Sequence, residues 1–300
     1  MVCVQRERSS LPILLQATWE PFESPEAQTH ALKALVRQQQ LQKHSAVAVL
    51  PPDFYQLMQI ELAQLPAAER RDAARWQIRE LLEFPVEQAV VDVFDVVPFG
   101  SDSRPLTYVV AARESLLRER IELFQELDLV PLAIDIPEFA LRNIAELFTE
   151  DDRGTAILLL QDQGGLLTIV RDGVHYLTRY LTSGMNELLP FADGDNEALT
   201  EQLDSIVLEV QRSFDYCEST FRLPMVSRLL VAQSEREIPA VTTYLDDYLT
   251  TRVEPFSFTS VMTVPEGSEQ LELNRHLLAI GCAGRMADAP ADQSLSGGFD

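Results

Sequence analysis

Few residues in this chain are spaced for chemistry. The most suggestive run is Gln161-Asp162-Gln163-Gly164-Gly165. Adjacent glycines let backbone N–H groups close around a phosphate, and Asp162 could hold Mg²⁺ through water. The same five residues also make a hairpin turn between two apolar runs, with Asp162 a solvated carboxylate, and that is the preferred reading. His175 alternates with apolar neighbours, as a packed strand residue does and a catalytic base need not. Cys217 sits on an apolar helical stripe and reads as core. Cys3, Cys217 and Cys282 are odd in number and far apart, with no C-x-x-C, so neither a disulfide framework nor a zinc site is indicated. Lys33 and Lys43 are the only lysines. Neither follows a glycine-rich loop, which excludes a P-loop ATPase. No Ser/His/Asp set stands out, and no catalytic residue or metal site is expected. Trp76 and Arg79, three apart in a helical segment with Arg75, share a face. Aromatic and Arg side chains favour binding hot spots, although Trp76 could equally be core. Tyr55 and Arg113, each at a strand end, carry the same two readings.

The charge balance narrows the partners. With 24 basic and 47 acidic side chains the net charge is −23, which disfavours phosphate backbones and anionic lipid surfaces. Hydrophobic residues make up 46% of the 300-residue chain, enough for a sizeable core and, from the length, for two domains. No apolar run approaches the roughly 18–20 residues of a membrane span. The N-terminus turns polar after Val4, unlike a signal peptide. A cytoplasmic protein is expected.

The elements that must position these residues follow from periodicity. A hairpin is expected around the turn Gln5–Ser10, then a helix over 26–42 and a strand over 46–50. The stretch from about 53 to 135 reads β-α-β-β-α-β and suggests an inserted α+β subdomain. A helix follows over 138–148. Thr149–Gly154 is acidic and turn-like and marks a boundary, giving a first lobe over 1–150 and a second over 151–285. The second opens with three strands, 155–160, 166–170 and 174–181. It continues with a long helix, 199–221, whose apolar residues step by three or four. A strand at 228–232, a helix at 238–249, a strand at 252–255 and a helix at 269–284 complete it. The tail, 286–300, is poor in apolar residues and is expected to be disordered. Each half opens with a β-meander, which suggests a duplicated α/β fold with a cleft between the lobes.

Three stretches, AIDIPEFALRNI (133–144), ILLLQDQGGLLTIVRDGVHYLTR (157–179) and LEVQRSFDYCES (208–219), together with LPPDFYQLMQIE (50–61) and RWQIRELLEFPVEQAVVDVFDV (75–96), resemble the PilM-like proteins of type IV pilus assembly. Their branch serving the MSHA pilus is the nearest in pattern. The resemblance spans about Val2 to Gly284. It implies an actin-like, ribonuclease H-like fold and a cytoplasmic scaffold recruited to the inner membrane by a PilN-like partner. That partner would offer its cytoplasmic N-terminal segment, basic beside the membrane and drawn to the acidic body. Other pilus assembly proteins and further copies of the chain are additional partners in this reading. Trp76, Arg75, Arg79, Tyr55 and Arg113 become candidates for the docking groove beside the insert.

Actin-like proteins hold ATP between two phosphate loops and an adenosine-binding Gly-Gly pair. Here Val2–Val4 corresponds to the second strand of the first lobe, so the first strand and its phosphate loop are absent from this sequence; a start further upstream would supply both. At the second loop, Gln161 stands where the family has Asp, with Asp162 one residue out of register. At the adenosine motif the chain reads Ala232-Gln233-Ser234, where a Cβ would crowd the ligand. The expectation is therefore a degenerate cleft, no enzyme activity and no cofactor. The alternatives are an ATP-binding protein whose nucleotide state gates partner binding and a filament former like FtsA.

Overall fold

The computed structural model describes residues 1–5, 11–19, 22–63, 65–99, 105–148, 153–193 and 196–285. The expected turn at 5–10 beyond Gln5, most of the boundary at 149–154, and the tail lie outside the described residues.

The first lobe begins with an antiparallel hairpin, β1 (Val2–Gln5) and β2 (Ile13–Ala17). Helix α1 (Pro25–Gln38) follows; the Ser24 hydroxyl caps it by accepting from the Ala27 N–H, and Pro25 occupies the favoured first position. Then come β3 (Ser45–Val49), β4 (Tyr55–Ile60), α2 (Ala67–Gln77), β5 (Ala89–Val96), β6 (Leu106–Arg113), α3 (Glu114–Glu126), β7 (Val130–Asp135) and α4 (Pro137–Ala145). The insert is smaller than its β-α-β-β-α-β order suggests. Only β4, β6 and β5 form its antiparallel sheet, in that order, with α2 covering one face through Ala74 and Ile78. The last strand, β7, instead pairs in parallel with β3. Element order alone does not say which sheet a strand joins, and α3 is the crossover that a parallel partner requires.

The second lobe is one five-stranded sheet, ordered β10-β9-β8-β11-β12. Its strands are β8 (Thr155–Gln161), β9 (Gly164–Arg171), β10 (Val174–Leu181), β11 (Arg228–Gln233) and β12 (Arg252–Pro255). β8 is antiparallel to β9 and parallel to β11. It is apolar from Ala156 to Leu160 because both faces are covered. Ala156, Leu158 and Leu160 face the core shared with α6 (Asn196–Phe221) and α7 (Pro239–Tyr248), while Ile157 and Leu159 face the opposite core. A short helix, α5 (Met185–Leu188), precedes α6. The C-terminal helix expected over 269–284 is broken at His276 into α8 (Gln270–Arg275) and α9 (Leu277–Ala283).

The two lobes exchange helices. α4 closes the first half of the sequence yet packs against β8, β9 and β10, whereas α9 returns from the chain's end to pack against β1 and β3. The two helices cross at Gly281, where an added Cβ would fall 2.1 Å from the Ala140 carbonyl oxygen. A hairpin followed by a parallel pair in each half, with two crossing helices between them, is a duplicated, two-lobed actin-like fold.

Candidate functional site

The residues expected to line a nucleotide cleft do come together. β8 and β11 run side by side with Leu160 opposite Gln233, and the Ser234 N–H bonds the Leu160 carbonyl at 3.0 Å. That register sets Gln161 and Asp162 next to Ser234, whose hydroxyl lies 3.4 Å from Asp162 Oδ1. The turn itself is only Asp162–Gln163; Gly164 and Gly165 are the first residues of β9. Their lack of side chains serves the chain's own packing. Gly164 has φ +135°, and a Cβ there would lie 2.7 Å from the Leu181 carbonyl oxygen. The segment after β10 closes over them, and the Asn186 N–H donates to the Asp162 carbonyl at 3.0 Å.

The strand end at Ala232-Gln233-Ser234 is closed by bonds from the chain itself. All three residues are buried, Ser234 at 5% exposure. The Gln233 side chain is turned back on its own loop: its Oε1 accepts from the Ile238 N–H at 2.9 Å. The Gln233 carbonyl accepts from Asn274 Nδ2 at 2.9 Å, and the Ser234 carbonyl from Arg275 Nε at 3.0 Å. α8 thus packs against this strand end and ties it down. Among the described residues, no group of three or more His, Cys, Asp or Glu side chains is placed to hold a metal.

The partner-binding candidates fall on two surfaces. Arg75, Trp76 and Arg79 lie on the outer face of α2, opposite Ala74 and Ile78. Trp76 is 73% exposed, so it is not core, and Arg79 lies over its ring at 5.8 Å. Such an aromatic surface is costly to leave in water and favours contact with another molecule. Arg113, at the end of β6, lies 4.3 Å over the Phe84 ring. Tyr55 does not join them. It is buried where the insert meets the lobes, and its hydroxyl donates to Glu138 Oε2 at 2.7 Å.

That junction holds polar residues that the sequence reading did not select. Glu138, on α4 and 1% exposed, also accepts from the Tyr180 hydroxyl at 3.1 Å. Burial raises its carboxyl pKa against the two phenol donors, which pull it down. His175 lies nearby, ringed edge-on by Phe94, Tyr108 and Phe139 at 6.1–6.4 Å. Its Nε2 meets the Thr178 hydroxyl at 2.7 Å and its Nδ1 has no partner. Burial, helped by Arg142, lowers its pKa to about 3. The reading of His175 as packed is thus correct. The signal for Glu138 was one acid inside the apolar run Ile136-Pro137-Glu138-Phe139-Ala140.

The topology and the two crossing helices define the class of fold, which is actin-like. Among solved structures the chain is similar to a chain of the PilM–PilN type IV pilus biogenesis complex, at 22% identity over 94% of this chain and 93% of that one, with a TM-score of 0.72. It also aligns, more loosely, with the cytoplasmic domain of EpsL, an inner-membrane component of the type II secretion system of Vibrio cholerae (12% identity, 95% of each chain, TM-score 0.44). A Bacteroides thetaiotaomicron protein with an actin-like ATPase fold aligns at 7% identity over 92% and 94%, with a TM-score of 0.46. No family model matches the chain, and no curated protein matches it. The fold is therefore that of the pilus-complex chain, in agreement with the PilM-like sequence resemblance. No helix among the described residues is long and apolar enough to cross a membrane.

Proposed function

We propose that this chain is a PilM-like adaptor of type IV pilus assembly, of the MSHA type, which works from the cytoplasmic face of the inner membrane. A PilN-like partner binds it through a basic cytoplasmic N-terminal segment. The supporting observation is the fold likeness over almost the whole of both chains to a member of the PilM–PilN complex. The acidic surface and the exposed Trp76 agree with it, because a charge of −23 speeds capture of a basic peptide and Trp76 offers an apolar anchor. The cleft is degenerate in this reading and the protein is not an ATPase; the buried, internally bonded Ala232–Ser234 segment supports that.

The test is a pair of titrations. The N-terminal cytoplasmic peptide of a PilN-like protein from the same organism should bind at micromolar or better affinity, more weakly as salt rises. Fluorescent ATP with Mg²⁺ shows no saturable micromolar binding. A peptide that fails to bind refutes the adaptor assignment, and tight Mg²⁺-dependent ATP binding refutes the degenerate cleft.

A further inference from the structure

Asp204, Leu208, Gln211, Asp215 and Glu218 step by three or four along α6, so they share one edge of the helix, and all five are exposed. The first part of that edge is taken by α7. The Tyr244 hydroxyl donates to Asp204 Oδ1 at 2.7 Å, and Gln211 Nε2 donates to the Tyr248 carbonyl at 3.3 Å. α7 ends at Tyr248, while α6 runs on to Phe221. There α6 is flanked by two loops, 222–227 and 249–251. Thr251 Oγ1 donates to the Val226 carbonyl at 3.2 Å and Thr250 Oγ1 to Met225 Sδ at 3.0 Å, so the loops hold each other. Between them and α6 lies a cavity of about 100 Å³. Phe214, Cys217, Leu223, Met225 and Leu249 supply apolar walls, and Asp215 and Glu218 stand at its rim.

The space suits one apolar side chain the size of leucine or methionine, because water gains few bonds from such walls. Apolar surface continues outside it: Leu208, Met225 and Tyr248 are exposed on the same face. The rim has charge to offer. Asp215 and Glu218 have no hydrogen bond or ion pair among the described residues. Arg212 and Arg222, the cations nearest them in sequence, do not line the cavity. A ligand that sets cations against these carboxylates on either side of an apolar group satisfies both features, whereas phosphate-bearing ligands are repelled. A second copy of this chain is disfavoured, because it brings the same excess of 47 acids over 24 bases.

We propose that this groove on the second lobe is a docking surface for a short basic segment of a partner protein. One Leu- or Met-sized side chain of the segment enters the cavity, and Lys or Arg residues flanking it meet Asp215 and Glu218. The surface is distinct from the one that carries Trp76. Ala74 and Ile78 of α2 cover one face of the insert's sheet. Its other face, with Val96 and Tyr108, joins the core of α6, where the Tyr216 hydroxyl also donates to Gln59 Oε1 at 3.2 Å. The sheet therefore stands between Trp76 and the groove, and a partner at one leaves the other free. The groove does not depend on the PilN-like assignment of the Trp76 face.

The test is a selection of phage-displayed random peptides on the full chain, followed by calorimetric titration of the recovered peptides. Peptides with Lys or Arg on both sides of a Leu or Met are expected. Their binding should weaken at least about 5-fold in the double variant Asp215→Asn, Glu218→Gln, which removes the rim charge without changing side-chain shape. It should weaken at least about 10-fold in Thr250→Trp, which fills the mouth of the cavity from an exposed position. Melting temperatures of the variants check that both remain folded. Binding should be unchanged in Trp76→Ala. It should also be unchanged in Glu119→Gln, Glu122→Gln, a control that removes the same charge from exposed positions on α3. Recovery of no peptide with this pattern overturns the proposal. So does binding that the groove variants leave intact, that the α3 control weakens equally, or that only Trp76→Ala removes. Self-association of the chain that the groove variants abolish also overturns it, because it would make the occupant a second copy.

Discussion

His175 should make stability fall with acid in a way that one substitution removes. The imidazole is buried among Phe94, Tyr108 and Phe139, with Arg142 raising the potential around it. Its pKa is about 3 in the folded chain against 6.5 ordinarily. A depressed folded value means that its contribution is complete above pH 6.5 and is lost as the pH falls from there towards 3. Between pH 7 and pH 5 the unfolded chain takes up a proton that the folded chain refuses, which removes about 2 kcal/mol. His175→Phe places a ring of similar shape in an aromatic box and leaves the Thr178 hydroxyl its bond to Thr168 at 2.9 Å. Urea unfolding of both proteins at pH 7 and pH 5 measures the effect. The carboxylates, Glu138 included, are common to both and cancel in the comparison. The unsubstituted chain should lose about 2 kcal/mol more than the variant over this interval. If the two lose the same within about 0.5 kcal/mol, His175 is not held neutral by its surroundings and the packing described for the junction is wrong.

Three further substitutions test other parts of the structure. Trp76→Ala should change unfolding stability by less than about 0.5 kcal/mol, because the ring is exposed, yet weaken binding of the PilN-like peptide by at least about 30-fold in a calorimetric titration. Gly281→Ala sets a methyl group 2.1 Å from the Ala140 carbonyl and should lower stability by about 3 kcal/mol or more, read as a drop in melting temperature. Tyr55→Phe removes the 2.7 Å bond to Glu138 but leaves Tyr180 in place; a loss of about 1–3 kcal/mol in urea unfolding is expected.

Much of this fold is legible in the residues because periodicity reports local burial. The helix at 199–221 and the strand triplet of the second lobe stand where their apolar patterns put them. Pairing is less legible. The apolar run of β7 says that it is covered, not that β3 covers it. The Gly-Gly pair says that something approaches closely, and what approaches is the 181–184 segment. The exposure of Trp76 was undecidable from sequence, since i, i+3 spacing to Arg79 does not tell which face of α2 meets the sheet. Ala74 and Ile78 decide that, and they are known as core only once β5 and β6 are in place.

The exchanged helices also change what a domain means in this chain. A cut near residue 150 divides the sequence where its periodicity pauses, but it does not divide the packing. Leu141 and Ile144 of α4 share a core with Ile157 and Leu159 of β8, while Leu277 and Ile280 of α9 share it with Leu14 of β2. Thr263, far along the second half, bonds the backbone of Pro12 and Leu14. Removing α9 would strip β1 and β3 of their common support, and removing α4 would uncover one face of the five-stranded sheet. The core on one face of the five-stranded sheet is thus shared between the halves, whereas the core on its other face is built almost wholly from second-half residues and the insert keeps a small core of its own. At the α4–α9 crossing, Gly281 and Ala140 leave no room for a side chain between the two helices, so the seam joining the halves is as close-packed as a core.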